Sequence, residues 1–368
     1  MKLLFAIKSL SQLGGGAERV FADVVNGMQA RGHQVHVMTF ENSTNRSFYP
    51  LDKGIVRLDI GASKTSKISQ ILNLHSARRQ VVGLKPAAVI AFMPSCYVPL
   101  GVALVGTGIP VVASEHNVPE RYSQQPTRWL SIYAARWYTA AFTAVSHQMR
   151  ERYPVALRNR MTVIPNPLGA SKELRANVIG AKSDVGQVLA VGRLHSQKDH
   201  ATLVRAFATI ASEFPGWTVR ILGDGDQRSR IENLVSELHL KGRVALPGTV
   251  QDVASEYVAS QLYVIPSRYE SYGMATAEAI AHGLPAIGFA DCPGTNELIH
   301  DGVNGILVNP GDDRVESLAN ALRPLMSDAS ARLQLVPSSD AQTGTQSLSQ
   351  VLDIWERYLG QTAQISRQ

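Results

Sequence analysis

Short apolar runs alternate with loops and helical stretches along this 368-residue chain, and the series runs through twice. Its first pass offers strands at Lys2–Lys8, Val35–Phe40, Ala88–Phe92, Val111–Ser114, Phe142–Val145 and Thr162–Ile164. Between the first two of these, Ala17–Ala30 reads as an amphipathic helix stopped at Arg31-Gly32. The second pass offers Gln187–Val191, Thr218–Leu222, Val244–Leu246, Leu262–Ile265, Ala286–Phe289 and Ile306–Val308. Strands separated by helices form parallel sheets covered on both faces. The stretch from Gly169 to Gly186 is polar and aperiodic, and reads as a linker. The pattern therefore predicts an α/β fold of two Rossmann-like doubly wound domains facing across a cleft, one over 1–170 and one over 183–329. Ligands of such sheets bind outside the carboxyl ends of the strands. Residues 346–368 carry a last helix, Leu348–Leu359 with Trp355 and Tyr358, expected to pack back across the domain junction. Ser330–Gln346 is polar and low in complexity, and reads as a surface segment.

A chain that is 45% hydrophobic and 18% charged folds around sizeable cores. Two cysteines, Cys96 and Cys292, make no metal-ligand spacing and read as free thiols of a reducing compartment. The longest apolar stretch, Val98 to Ala113, is interrupted by Pro99, Pro110 and glycines and is shorter than the ~18–20 residues of a membrane span. Nor is Leu3 to Ile7 a signal sequence; it reads as a first core strand, and the chain as a soluble protein.

The net charge of +6 hides an asymmetry. Residues 1–175 hold 21 Lys and Arg against 9 Asp and Glu, a net of +12, whereas 176–368 carry −6. No recognition helix or aromatic RNA-binding pattern accompanies the basic half, so an anionic lipid surface is a better partner for it than nucleic acid. Two segments would form that surface. One runs from Lys64 to Lys85 with Arg78, Arg79, Ile68, Ile71, Leu72 and Val82; the other runs from Arg121 to Tyr138 with Arg128, Arg136, Trp129, Tyr133 and Trp137. Solvated helix faces packed on a core are the alternative for both.

The strongest chemical signal follows Leu262–Ile265, in Pro266-Ser267-Arg268-Tyr269-Glu270-Ser271-Tyr272-Gly273-Met274-Ala275-Thr276-Ala277-Glu278. Two carboxylates stand eight positions apart across a helix N-terminus, which favours anions. On a helical rise that spacing is roughly 12 Å, longer than the ~5–9.5 Å of paired glycosidase carboxylates. It suits a diphosphate-linked ligand with a sugar at one end and a ribose at the other; two solvated glutamates are the plain alternative. After Gln187–Val191 come Arg193 and Lys198, either surface cations or a fork and a point charge for one diphosphate. Gly14-Gly15-Gly16 follows the first strand as a connector or a phosphate loop, but is neither a dinucleotide fingerprint nor a Walker A loop. Gly223-Asp224-Gly225-Asp226 reads as a turn before it reads as a metal site. His116 ends a strand, as a core histidine or a ligand-facing one.

Taken in order, several pieces resemble the family 4 glycosyltransferases of the GT-B fold, over nearly the whole chain. They are Gly15–Arg19, Val145-Ser146, Ile164-Pro165-Asn166, Gly192-Arg193 with Lys198, and Gly223–Gly225. They continue with Glu270 to Glu278, His282-Gly283-Leu284-Pro285, Asp301 to Gly305 and Trp355-Glu356. The resemblance implies an acceptor-side first domain and a nucleotide-sugar-binding second one. It implies that Arg193 and Lys198 bind the donor diphosphate, that Glu270 contacts the sugar, and that Glu278 holds the ribose. Backbone amides at Ser271, Tyr272, Gly273 and Met274 would meet phosphate or sugar oxygens, Gly15 and Gly16 would close on the diphosphate, and Asn166 would join the donor site. His116 matches a family histidine near the donor sugar. Tyr272 stands where Phe or Leu is common in the family.

The resemblance further implies a retaining transferase that moves a sugar from a nucleotide diphosphate, UDP ahead of GDP, without an obligatory cofactor or metal. The acceptor expected is a polyprenyl-diphosphate-linked glycan or another saccharide, at the inner face of the cytoplasmic membrane. A GT-B epimerase or phosphorylase, or a non-catalytic sugar-nucleotide-binding protein, would share much of this pattern.

Overall fold

The computed structural model describes residues 1–11, 16–41, 47–60, 67–168, 175–180, 185–336 and 346–365. The chain divides into two compact units, Met1–Gly169 with Gln346–Gln368, and Ala170–Thr345.

The first unit is built on a seven-stranded parallel sheet. Its strands are β1 (Lys2–Ile7), β2 (Gln34–Thr39), β3 (Val56–Asp59), β4 (Ala88–Phe92), β5 (Val111–Ser114), β6 (Ala141–Ala144) and β7 (Met161–Val163), in the order β3-β2-β1-β4-β5-β6-β7. β4 is Ala-Val-Ile-Ala-Phe with every side chain buried, as a strand covered on both faces must be. The order reverses between β1 and β4. Right-handed crossovers then put helix Gly16–Ala30 on one face and helices Lys67–Leu84, Pro94–Ala103 and Pro126–Ala134 on the other. Helix Gly16–Ala30 buries Val20, Phe21, Val24, Val25 and Met28, a stripe at helical spacing. β3 escaped the sequence reading because Val-Arg-Leu-Asp at a sheet edge is polar and half exposed.

The last helix, Leu348–Ile365, also belongs to this unit. Gly27 makes room for it: a Cβ there would lie 2.5 Å from Leu352 Cδ1. Arg31 donates to Asp353 and Glu356 at 2.6 and 2.8 Å, and the Tyr358 hydroxyl donates to the Phe142 carbonyl at 3.2 Å. A short strand β8 (Pro167–Leu168) pairs with the strand that precedes this helix, Gln346–Ser347.

The second unit has six parallel strands: β9 (Val185–Val191), β10 (Gly216–Leu222), β11 (Val244–Gly248), β12 (Leu262–Ile265), β13 (Ala286–Phe289) and β14 (Gly305–Val308), ordered β11-β10-β9-β12-β13-β14. Here the reversal falls between β9 and β12. The core holds Val188, Ala190, Phe207, Trp217, Ile221, Leu262, Ile287 and Phe289. Arg332 is wholly buried and hydrogen-bonds the carbonyls of Val178, Ile179 and Leu325, tying residues 175–180 to this unit. Both expected doubly wound parallel sheets are present. Cys96 and Cys292 are buried and free, one in each unit. Among the described residues no helix is long and apolar enough to cross a membrane.

Candidate active site

At the reversal point of the second sheet, the loops leaving β9 and β12 lie side by side. The first carries Gly192 to Asp199 and the second Pro266 to Gly273, and the two are stitched together. The Arg268 amide donates to the Gln197 carbonyl at 2.9 Å, and Gln197 Nε2 donates to the Tyr269 carbonyl at 2.8 Å. Arg268 pairs with Asp199 at 2.9 Å. From the β10 side, the Leu194 amide donates to the Asp224 carbonyl at 2.9 Å. Gly223, at φ +131°, lies so close that a Cβ would stand 2.2 Å from the Gly192 carbonyl oxygen. Only glycine allows that approach. Asp224 spends one carboxylate oxygen on the next amide, Gly225, and pairs with Arg228 at 3.6 Å, which is turn chemistry.

This scaffold holds the two cations in different states. Lys198 lies across Gly192, where a Cβ would meet Lys198 Cε at 3.1 Å, and its ammonium reaches Glu270 Oε1 at 2.6 Å. Arg193 is exposed, and among the described residues its guanidinium has no side-chain or carbonyl partner. A planar fork of five donors is thus left open among the described residues.

Glu270 is 6% exposed. Its Oε1 accepts from both Lys198 Nζ and the Ser267 hydroxyl, each at 2.6 Å, so Oε2 takes neither bond. Its own amide donates to the Pro293 carbonyl at 3.0 Å, and Gly294, at φ +79°, admits the Glu270 backbone where a Cβ would clash at 2.6 Å. Helix Met274–Ala281 then begins at Gly273, which is left-handed at φ +88° and caps no amide with a side chain. Its first-turn N–H groups are left open toward the loop. Because the helix starts only at Met274, the helical rise does not measure the Glu270–Glu278 separation, and the 12 Å ruler of the sequence reading fails. Glu278, one turn inside the helix and partly exposed, accepts from the buried Tyr257 hydroxyl at 3.1 Å. Ser271 and Met274 are half-buried; Tyr272 is buried, and its phenol is pushed up to about 12 by that burial and then by Glu297.

Residues Arg193, Lys198, Glu270, Ser271 to Met274 and Glu278 are therefore brought together on two adjacent strand ends. The remaining predicted residues belong to the first unit. Gly16 is exposed and opens the helix after β1, while Gly15 lies outside the described residues. His116 follows β5 and stacks on Phe92, at the end of β4, with ring centroids 4.6 Å apart. Its Nε2 meets the Ser114 hydroxyl at 3.0 Å, and burial pushes its pKa down to about 3, so the ring is neutral at physiological pH. Asn166 is buried between β7 and β8, at the edge of the sheet away from Gly16.

Ser267 and Tyr257 went unrecognised in the sequence. Ser267 stands three residues before Glu270 and was findable as a Ser-x-x-Glu spacing. Tyr257 is twenty-one positions from Glu278 on a separate helix, Val253–Ala259, and nothing local marks it.

The chain matches two family descriptions, "Glycosyltransferase Family 4" over residues 14–171 and "Glycosyl transferases group 1" over 171–341. It is 24% identical over 360 residues to an uncharacterised glycosyltransferase of Haemophilus influenzae, spanning 97% of this chain and 99% of that one. It is 24% identical over 369 residues to a Campylobacter jejuni alpha-1,4-N-acetyl-D-galactosaminyltransferase whose name specifies a diNAcBac-PP-undecaprenol-linked acceptor, covering 98% and 99% of the two chains. Among solved structures, Anabaena Alr3699/HepE in complex with UDP and glucose superposes with a TM-score of 0.78 at 20% identity, over 98% of this chain and 99% of that one.

Proposed function

The chain belongs to the family 4 glycosyltransferases and uses a nucleotide-sugar donor; on that premise we propose a retaining hexosyltransferase, with UDP carrying the sugar. The observation that supports the placement of the donor is the Arg193 fork, unpartnered among the described residues, beside Lys198 and an uncapped helix end, all at one strand-order reversal. In this reading Arg193 and Lys198 take the diphosphate and stabilise the charge that grows on it as the sugar departs. The amides from Ser271 to Met274 add donors from the other side. Glu270 Oε2 faces the sugar hydroxyls and Glu278 takes the ribose. Gly15, Gly16, Asn166 and His116 are assigned to the donor from the first unit. The neutral His116 ring suits hydrogen bonding to a sugar hydroxyl and not charge pairing. Retention by a front-face route, with the leaving phosphate guiding the acceptor hydroxyl, needs no covalent Glu270 intermediate.

The acceptor we propose is a lipid-linked glycan, as the name of the Campylobacter jejuni relative specifies for that enzyme. The enzyme would work as a peripheral protein at the cytoplasmic face of the membrane. Supporting this, Leu130 and Trp137 are 67% and 72% exposed, and Val102 and Val105 stand exposed at the end of a neighbouring helix on the same sheet face. Arg136 lies over the Trp137 ring at 4.0 Å. Arg78 makes a smaller contribution than its sequence suggests, because its guanidinium is committed to the carbonyls of Ala103 and Val105. Trp129 is likewise committed, half-buried against Tyr122 and Tyr153. Ile68 and Ile71 have side chains outside the described residues.

A thermal-stability screen against nucleotide sugars tests the donor reading: the true donor at 100 times its Kd adds about 2.7 kcal/mol. A flat response across UDP and GDP sugars would refute it. NMR of the product anomer decides retention. Flotation with anionic and with neutral liposomes decides the membrane reading, and equal recovery removes it.

A further inference from the structure

We infer that Tyr257 is a positioning residue for the nucleotide: its phenol fixes Glu278 from behind so that the carboxylate meets the ribose already oriented. The inference rests on the reading of Glu278 as the ribose contact. Tyr257 is 1% exposed on helix Val253–Ala259, and its hydroxyl stands 3.1 Å from Glu278 Oε2 and 3.1 Å from the Ala275 carbonyl. A phenol has one proton for these two acceptors, and a carboxylate is the stronger of them.

The ring itself has little freedom. It stacks on His282 with centroids 5.1 Å apart and meets Tyr263 edge-on at 6.1 Å. His282 in turn reaches the Glu278 carbonyl through Nδ1 at 2.8 Å, and its amide donates to the same carbonyl at 3.0 Å. One stacked pair therefore holds Glu278 at both its side chain and its main chain. A free glutamate loses rotamer entropy when it binds a diol. A glutamate held by a buried phenol has lost part of that entropy on folding, and its affinity for the ligand rises accordingly.

The test uses the full-length protein, Tyr257→Phe, Glu278→Ala and the double variant. Titrations use UDP, GDP and their 2′-deoxy counterparts, and a thermal melt of each variant reports folding. Tyr257→Phe is expected to weaken binding of the preferred diphosphate roughly tenfold, about 1.4 kcal/mol, while leaving its 2′-deoxy form nearly unchanged, so that ribose discrimination collapses. In the Glu278→Ala background the same substitution should have no further effect on affinity. A merely structural role would instead weaken both nucleotides equally, in proportion to the loss of Tm, and that pattern overturns the proposal. So does discrimination that Glu278→Ala abolishes and Tyr257→Phe preserves; the ribose reading then stands without Tyr257. If the unmodified protein ignores the 2′-hydroxyl, or Glu278→Ala changes nothing, the ribose reading fails and the positioning role falls with it.

Discussion

The two sheets reverse their strand order in the same way, yet their buried carboxylates are used differently. In the first unit Glu41 accepts from Ser9 Oγ, the Leu10 amide, Ser11 Oγ and Arg57, at 2.5 to 2.8 Å. Burial raises its pKa, but the bonds from Ser11, Ser9 and Leu10 outweigh it and leave the group below the usual carboxylate range. Glu115, wholly buried after β5, accepts from the Tyr97 and Tyr122 hydroxyls and from the amides of His116 and Asn117. Four donors saturate each of these groups, and they hold loops in shape. In the second unit Glu270 takes two side-chain donors, both on one oxygen, and the Arg193 guanidinium has no side-chain or carbonyl partner among the described residues. Similar topology thus yields a structural cluster where polar groups are satisfied within the chain, and a candidate ligand site where capacity is left over among the described residues.

The contrast can be broken experimentally, starting with the largest effect. Arg193→Ala should lower kcat/KM by about 10²–10³, or ~2.7–4 kcal/mol, with no loss of Tm because the side chain is exposed. A loss under threefold would remove the charge-stabilisation argument. Glu41→Ala should do the reverse, lowering folding stability by about 2 kcal/mol in urea titrations, since the Ser9 and Ser11 hydroxyls and the Leu10 amide lose their acceptor while Arg57 keeps its pair with Asp59. Equal stability in the variant would show that the Glu41 cluster contributes nothing to the fold.

Smaller effects sharpen the picture. Ser267→Ala should weaken binding of UDP-glucose by about 1–1.5 kcal/mol while leaving UDP binding intact, because Glu270 is assigned to the sugar. Parallel losses for both ligands would place Ser267 in the phosphate site. His116 supplies a pH test. Its folded pKa of about 3 lies below the ordinary 6.5, so the unfolded chain takes up the proton first as pH falls. The stability it contributes is complete above pH 6.5 and is lost progressively down to about pH 3. Glu115 acts in the opposite direction, since burial raises its carboxyl. Between pH 7 and 5, His116→Gln should therefore recover about 1–2 kcal/mol relative to the parent, and an unchanged acid slope would mean that the imidazole is better solvated than its packing on Phe92 implies.

Much of this was legible in the residues. Apolar runs such as Ala88–Phe92 and Leu262–Ile265, short, each followed closely by a proline and alternating with helical stretches, read as buried parallel strands, and the charged residues after β9 and β12 stood out at strand ends. The edge strand Val56–Asp59 did not, because half-exposed polar residues carry no period worth reading. The helical ruler between Glu270 and Glu278 failed for a related reason. A left-handed Gly273 decides where the helix begins, and its φ is set by packing across loops.

By itself the amino-acid order determined the layered architecture and the kinds of chemistry available, since hydrophobic period and residue type are local properties. Which charges were already spent could be settled only in three dimensions. Lys198 and Arg193 differ little as sequence, but one is hydrogen-bonded to Glu270 at 2.6 Å and the other faces outward. Lys198 and Glu270 stand seventy-two positions apart, brought together by strand order, and no local pattern encodes their pairing.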